Sequence, residues 1–388
     1  MKKLKAILID FLQQADLVLL ALCCVSTIFG IVMIHSATQF MNSERYVIVQ
    51  TCALGIGIVL YILLSVIDVE SVIKKWPWFV AFNICFMLLL IPFGVDDGTG
   101  NKAWLKLPGV PVSIGPAEVV KISFTMLLAK QLSWLKEEKR DLKSIKAIAF
   151  TGGHTLALVG LYFVLSGDMG NALVYLFIFA GMSIVAGMAL RWFALAGTVA
   201  VGGLAFMWLF EKIPSYMLNR FIILYDHSYD PQGVGWQQTR SLLALGSGGL
   251  FGQGYMQGTQ SQSAYSWSLP ARWTDFIFSV IGEELGMVGC LVVLVLLSAI
   301  VLRCIDVSHR VQSAYASYIC IGMAAMLMFQ IMVNVGMCLF IMPVIGLTLP
   351  FFSYGGSSVV TLFCAMGIVS GIHKNAIKVR KPGKPLQY

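Results

Sequence analysis

The stretch "TDFIFSVIGEELGMVGCLVVLVLLSAIVLR", residues 274–303, sets the class of fold. Its apolar part, 277–302, is long enough to cross the roughly 30 Å hydrocarbon layer of a bilayer as one helix. Yet three carboxylates, Asp275, Glu283 and Glu284, crowd its entrance. Ionisable groups at a span are costly, and those retained face a bundle interior or a wet cavity. A membrane-crossing helix and a place for chemistry are therefore written in the same thirty letters.

The rest of the chain repeats the pattern. Of 388 residues, 58% are hydrophobic and 12% charged, which excludes a soluble globular domain. Ten apolar runs are expected to span, near 17–36, 46–67, 76–93, 116–135, 147–166, 170–188, 193–210, 277–302, 313–340 and 357–373. The expected fold is an all-α polytopic membrane bundle of about ten helices, forming one domain over 1–388. Lys and Arg accumulate in short cytoplasmic loops. With the N-terminus inside, eighteen of the 27 basic residues fall in inner segments and seven in outer loops. Lys121 and Lys130 lie within the fourth span. Both termini are thus expected in the cytoplasm, as tails 1–16 and 374–388. The basic "MKKLK" start precedes a run too long for a signal-peptide core, and it reads as a retained span.

A net charge of +8 concentrated on the inner face suits anionic lipid headgroups. No basic patch interleaved with exposed aromatics suggests nucleic acid. The nine cysteines fall in or beside spans, without disulfide or zinc-ligand spacing, and read as small packing residues.

Two outer segments break the rule of short loops, 94–115 and about 211–276. The second holds Trp236, Trp267, Trp273, Phe221 and Phe251, too apolar for a solvated linker. Short helices against the outer membrane face are expected there. The glycine cluster in "RSLLALGSGGLFGQG" lacks the order of a nucleotide-binding P-loop. A tight turn between interfacial helices accounts for it as well as an anion nest does.

Three groups of residues can carry chemistry. In "GPAEVVK", residues 115–121, Glu118 and Lys121 share a helix face. They make either a structural ion pair or a site where Lys121 meets a pyrophosphate and Glu118 orients it. Asp275 is either a helix cap, a role Thr274 fills equally well, or a base at the bilayer edge. Glu283 is eight residues further, roughly 12 Å along a continuous helix, too far for a paired-carboxylate hydrolase. Glu283 and Glu284 are therefore expected to satisfy bundle hydrogen bonds or an ion pair. His154, Gln330 and Asn334 read as interhelical hydrogen-bonders, and Asp168 in "GDMGN" as an ordinary turn residue.

Taken together, the motifs resemble one family, the SEDS proteins (RodA, FtsW and SpoVE), which are polytopic peptidoglycan glycosyltransferases. "AWLKLPGVPVSIGPAEVVK" is similar to its W-x-x-x-G…Q-P-S-E-x-x-K segment, and "GDMGNALV" to its D-x-G-[TS] turn. "NRFIILYDHSYDPQGVGWQQTRSLLALGSGGLFGQGYMQGTQSQ" resembles the outer-loop signature, "TDFIFSVIGEELGMVG" matches almost letter for letter, and "MPVIGLTLPFFSYGGSS" resembles the last loop and span. Gly115, Ala117 and Ala271 depart from the usual Gln, Ser and Glu, and the basic residue usually beside the outer-loop Trp is displaced to Lys102. Within the family, "GTQSQ" and "PVIG" look more like the elongation branch, RodA, than the division branch, FtsW.

The resemblance implies a lipid II polymerase in the bacterial plasma membrane. Its substrate is a disaccharide-pentapeptide on undecaprenyl pyrophosphate, joined to glycan by a β-1,4 bond at the outer face. It implies Asp275 as catalytic base and Glu118, Lys121, Arg220, Arg240 and Ser357 as substrate contacts. A Mg²⁺ or Mn²⁺ ion would assist the leaving group, with no organic cofactor. The implied partner is a single-span class B penicillin-binding protein. The competing readings are a lipid II flippase, which calls for paired broken helices in two halves, and a non-catalytic cell-wall scaffold.

Overall fold

All ten runs are helical over most of their length in the computed structural model, which describes residues 15–41, 43–96, 101–106, 109, 113–138, 141–209, 215–226, 233, 235–265 and 268–380. In chain order the elements are α1 (Leu17–Thr38), α2 (Arg45–Val66), α3 (Val69–Ile73), α4 (Trp76–Leu88) and α5 (Leu90–Phe93). A two-stranded antiparallel ribbon follows, β1 (Gly94–Val95) and β2 (Trp104–Leu105), with Val95 opposite Trp104. Then come α6 (Pro116–Glu137), α7 (Ile145–Ser166), α8 (Met169–Ala186) and α9 (Leu190–Leu209). The long loop holds α10 (Ser215–Tyr225) and α11 (Trp236–Gly248), before α12 (Ile277–Arg310), α13 (Ala314–Cys338) and α14 (Gly356–Arg380). Of the residues assigned to the cytoplasmic tails, 1–14 and 381–388 lie outside the described set, and 374–380 continue α14 as helix. Trp267 also lies outside it.

Local chemistry sets the ends. Asp16, Ser144, Asp168 and Ser313 each accept from a first-turn amide of the helix that follows. Pro116 opens α6, where its missing N–H costs nothing. Gly167 and Gly187 close α7 and α8 with φ of 72° and 97°, a conformation that glycine adopts without strain.

Among the described residues, eight of the ten expected spans have the length and hydropathy to cross a membrane, with α6 and α9 outside that group. α6 carries Glu118, Lys121, Lys130, Lys136 and Glu137, and manages its upper charges by burial: fifteen of its residues are enclosed. It lies inside the bundle against α4, α8 and α13, while α14 packs along α2. Outward faces are apolar, as at Trp78, Val164, Val199 and Val295. In hydrocarbon an apolar exterior is no liability, and helix association depends on close packing. Gly30 of α1 illustrates this: a Cβ there would come within 2.7 Å of the Phe352 backbone. All nine cysteines are free thiols. The chain is a helical membrane protein.

One helix is interrupted in a way the sequence reading left open. Within α12, Gly286 takes φ 69° and ψ −165°, dividing a short piece before it from the long span after it. The break frees backbone groups that must be paired in a buried setting. The segment after α11 fills it: Gln253 and Gly254 donate to the carbonyls of Glu283 and Glu284, at 2.9 and 3.0 Å. Met287 and Val288 donate to the carbonyls of Gly249 and Leu250, at 2.9 and 3.2 Å. The glycine cluster of residues 246–254 serves this fit, since a side chain at Gly248 or Gly252 would strike the α12 backbone.

Candidate active site

Asp275 stands two residues before α12, outside the spanning segment. The cap position is Phe276, with no side-chain hydrogen bond to the helix, so Asp275 is not spent on capping. Its backbone is tightly held. Asn334 of α13 donates to the carbonyls of Asp275 (2.8 Å) and Leu347 (2.7 Å). Ser353 donates to the Thr274 carbonyl at 2.6 Å, and the Tyr354 amide to the Trp273 carbonyl at 2.8 Å. The residue as a whole is half-buried. Burial pushes its pKa from the ordinary 3.8 up to about 6; the charge of Asp168 acts in the same direction, and a hydrogen bond from Thr274 opposes it. A carboxylate with that value is ionised at neutral pH but is a stronger base than an ordinary aspartate.

Asp168, whose charge Asp275 feels, belongs to a second group of residues. Asp168 caps α8 through the Asn171 amide (3.1 Å), and its other oxygen accepts from the Tyr162 hydroxyl and the Asn171 side chain, both at 2.8 Å. Asn171 in turn accepts from Lys121 Nζ at 3.1 Å, and Lys121 pairs with Glu118 at 2.8 Å. This chain of contacts ties α6, α7 and α8 together. Lys121 is 0% exposed and Glu118 8%, so the cation is enclosed and the carboxylate is the member nearer to solvent. The pair forms as the shared helix face predicts, and it is compatible with both sequence readings.

Of the remaining candidates, Arg220 meets the loop between α13 and α14, while Arg240 and Ser357 have other partners. Arg220 is exposed and donates to the Val344 carbonyl at 2.8 Å. Gln238 of α11 donates to the Met342 carbonyl at 2.8 Å. Arg240, two residues further along α11, holds its guanidinium 4.1 Å from the centre of the Trp236 ring. Ser357 accepts from the Gly115 amide at 3.5 Å, beside the start of α6 and hence beside Glu118. Gln50 of α2 closes the loop by bonding the Ser353 carbonyl (3.0 Å) and the Gly355 amide (3.1 Å). Glu283 and Glu284 bond the loop 256–262, as the expectation of bundle hydrogen bonds has it.

Sequence reasoning missed two things here. Asp168 reads as a turn residue, and it is indeed a cap, but its second oxygen joins the Lys121 network. Asn334 reads as an interhelical bonder, and it is the residue that holds the Asp275 backbone. The "D-x-G" resemblance was the sole signal for the first; nothing in the letters signalled the second. His154 behaves as expected, with Nδ1 3.1 Å from Gln131 Oε1. Among the described residues, no group of three or more His, Cys, Asp and Glu is arranged to hold a metal ion.

The structure is a helical membrane bundle in which a half-buried aspartate and a buried ion-pair network are the polar features set among apolar spans. The family model described as cell cycle protein, covering FtsW, RodA and SpoVE, matches residues 16–378. The chain is 32% identical to "Probable peptidoglycan glycosyltransferase FtsW" of Haemophilus influenzae, over 82% of this chain and 80% of that protein. It is also 32% identical to "Peptidoglycan glycosyltransferase MrdB" of Escherichia coli K12, over 82% and 83%. Among solved structures, a chain of a peptidoglycan synthase complex that coordinates polymerization and crosslinking superposes with a TM-score of 0.77, at 28% identity, over 93% of this chain and 98% of that one. The chain belongs to the SEDS family, and with its relatives it is a peptidoglycan glycosyltransferase.

Proposed function

We propose that this enzyme polymerises lipid II into β-1,4 glycan at the outer face of the plasma membrane, with Asp275 as general base. The observation that carries the reading is a half-buried aspartate, free of capping duty, with its pKa near 6 and its backbone tightly held, at the end of the bundle that the charge pattern assigns to the outside. The acceptor GlcNAc 4-hydroxyl oxygen attacks the anomeric carbon of the donor as its proton passes to Asp275. The bond from that carbon to the phosphate oxygen breaks, the diphosphate departs with the electron pair, and the α-linkage inverts to β. A diphosphate is a weak base, so no general acid is needed. Of the candidate cations, Arg220 is exposed and Arg240 partly so, and both can meet the departing anion from the outer segment. Lys121 adds fixed positive charge from within the bundle. Ser357 meets the start of α6, the helix that carries Glu118, and both are proposed as substrate contacts.

The described side chains supply no cluster of three metal-ligating groups. A Mg²⁺ or Mn²⁺ ion would be held chiefly by the diphosphate itself, the mode Mg²⁺ favours. Transport is the weaker reading because the broken helix at Gly286 has its freed backbone groups filled by residues 249–254 rather than left open to a cargo. The motifs "GTQSQ" and "PVIG" favour a role in elongation and cell shape, with both termini cytoplasmic. The relative in the synthase complex supports a crosslinking partner, a class B penicillin-binding protein.

The test is polymerisation of labelled lipid II by purified protein in nanodiscs. Asp275→Ala is expected to abolish polymer, by roughly 10²–10⁴-fold for loss of a general base. Polymer made at the wild-type rate by that variant would end the reading. Adding the transpeptidase partner is expected to raise the rate, and an equal rate with and without it would remove the partner from the proposal.

A further inference from the structure

Glu283 and Glu284 take no part in the proposed chemistry, yet both are completely enclosed. Glu283 accepts from the amides of Gln260 and Ser261, each at 2.7 Å, and from the Thr259 hydroxyl at 3.1 Å. Glu284 accepts from the hydroxyls of Ser36 (2.7 Å) and Ser261 (2.6 Å), the Gln262 side chain (2.9 Å) and the Met256 amide (3.2 Å). Buried carboxylates are costly, and apolar residues fill space at least as well. What a carboxylate alone can do is draw several donors onto one point. Here the donors come from 256–262, a segment without helix or strand, and from α1.

The clamped segment then presents its carbonyls to a guanidinium. Arg272, 2% exposed, donates to the carbonyls of Gln260 (3.1 Å), Ser261 and Ser263 (2.8 Å), and its guanidinium lies 3.9 Å from the centre of the Phe40 ring. Arg272 is three residues before Asp275. The turn that carries the aspartate is thus pinned on one side by Arg272 and on the other by Asn334.

We propose that Glu283 and Glu284 are positioning residues for Asp275, acting through the 256–262 segment and Arg272. The proposal rests on the reading of Asp275 as base. Glutamine is a poor substitute for either carboxylate. Both oxygens of Glu283 face backbone or hydroxyl donors, so a Gln amide group must turn its own N–H against one of them. Released from the clamp, the segment would let the Arg272 seat shift, and displacements near 1 Å at a reacting group cost on the order of 100-fold.

The experiment measures lipid II polymerisation by the full chain in nanodiscs, counted per folded molecule, for Glu283→Gln, Glu284→Gln, Ser36→Ala, Arg272→Lys and Asp275→Asn. The two Gln variants are expected to lose roughly 10- to 100-fold in kcat with KM within about twofold, and to shift the acidic limb of the pH–rate profile. Ser36→Ala removes one donor to Glu284 and Arg272→Lys removes the fork that spans three carbonyls; both are expected to move the same two readouts by less. These milder variants decide the question if a Gln variant fails to fold. An unchanged kcat and acidic limb in the folded variants, with Asp275→Asn inactive, would overturn the positioning role alone. An active Asp275→Asn would overturn the base assignment and this inference with it.

Discussion

Replacing Asp275 by Asn is expected to make the protein more stable while silencing it. The folded protein holds this carboxyl at a pKa of about 6 against an ordinary 3.8, chiefly by burial. Between those two values the folded state binds the proton more tightly than the unfolded chain, so stability falls as pH rises through the window. A difference of about two pH units corresponds to a loss of roughly 3 kcal/mol, fully expressed above pH 6 and absent below about pH 4. Asn keeps the shape and accepts from Thr274 but carries no charge, so it escapes this cost. Thermal unfolding in nanodiscs is expected to put Asp275→Asn above wild type by about 3 kcal/mol at pH 7.5 and by about half that at pH 5. The same preparation should make no polymer. A variant no more stable than wild type at pH 7.5, or a gap that does not shrink on acidification, would refute the claim that the site holds a desolvated carboxylate.

Three further outcomes follow from the same contacts. Asn334→Ala removes the bonds to the Asp275 and Leu347 carbonyls, and it is expected to lower the polymerisation rate by roughly 10- to 100-fold in protein that remains folded by size-exclusion chromatography. Gly286→Ala forces a side chain into φ 69° and against the Leu250 and Gly252 backbone; the yield of monodisperse protein should fall sharply, whereas Gly197→Ala, with open space around it, should have no such effect. At the other end of the bundle Arg303 bonds the enclosed Asp16 at 2.7 Å and the more exposed Asp306 at 2.8 Å. Arg303→Ala is expected to cost about 3 kcal/mol by stranding a buried carboxylate, and Asp306→Ala less than about 1 kcal/mol, compared by thermal unfolding.

Much of this was legible in the letters. Apolar runs name their helices because hydrocarbon offers the backbone no alternative hydrogen-bond partner. Asp16, Ser144, Asp168 and Ser313 mark helix starts because a cap acts within three residues of itself. Asp275 could be nominated as a base, and Glu118 with Lys121 as a pair, since their spacing on one helix is a local fact. The arginines were harder: Arg220, Arg240 and Arg272 are alike in sequence, and their roles differ because one is exposed, one stacks on Trp236 and one is enclosed by three carbonyls.

Reading along the chain was enough to name the helices, their order, the family and the carboxylate to nominate as base. Packing in three dimensions settled the rest: that Asp275 is free of capping duty, that Asp168 joins the Lys121 network through Asn171, and that the paired glutamates grip the 256–262 segment. The reason is distance along the chain. Ser36 meets Glu284 across 248 residues and Gln50 meets Ser353 across 303, and no local propensity carries information about partners so remote.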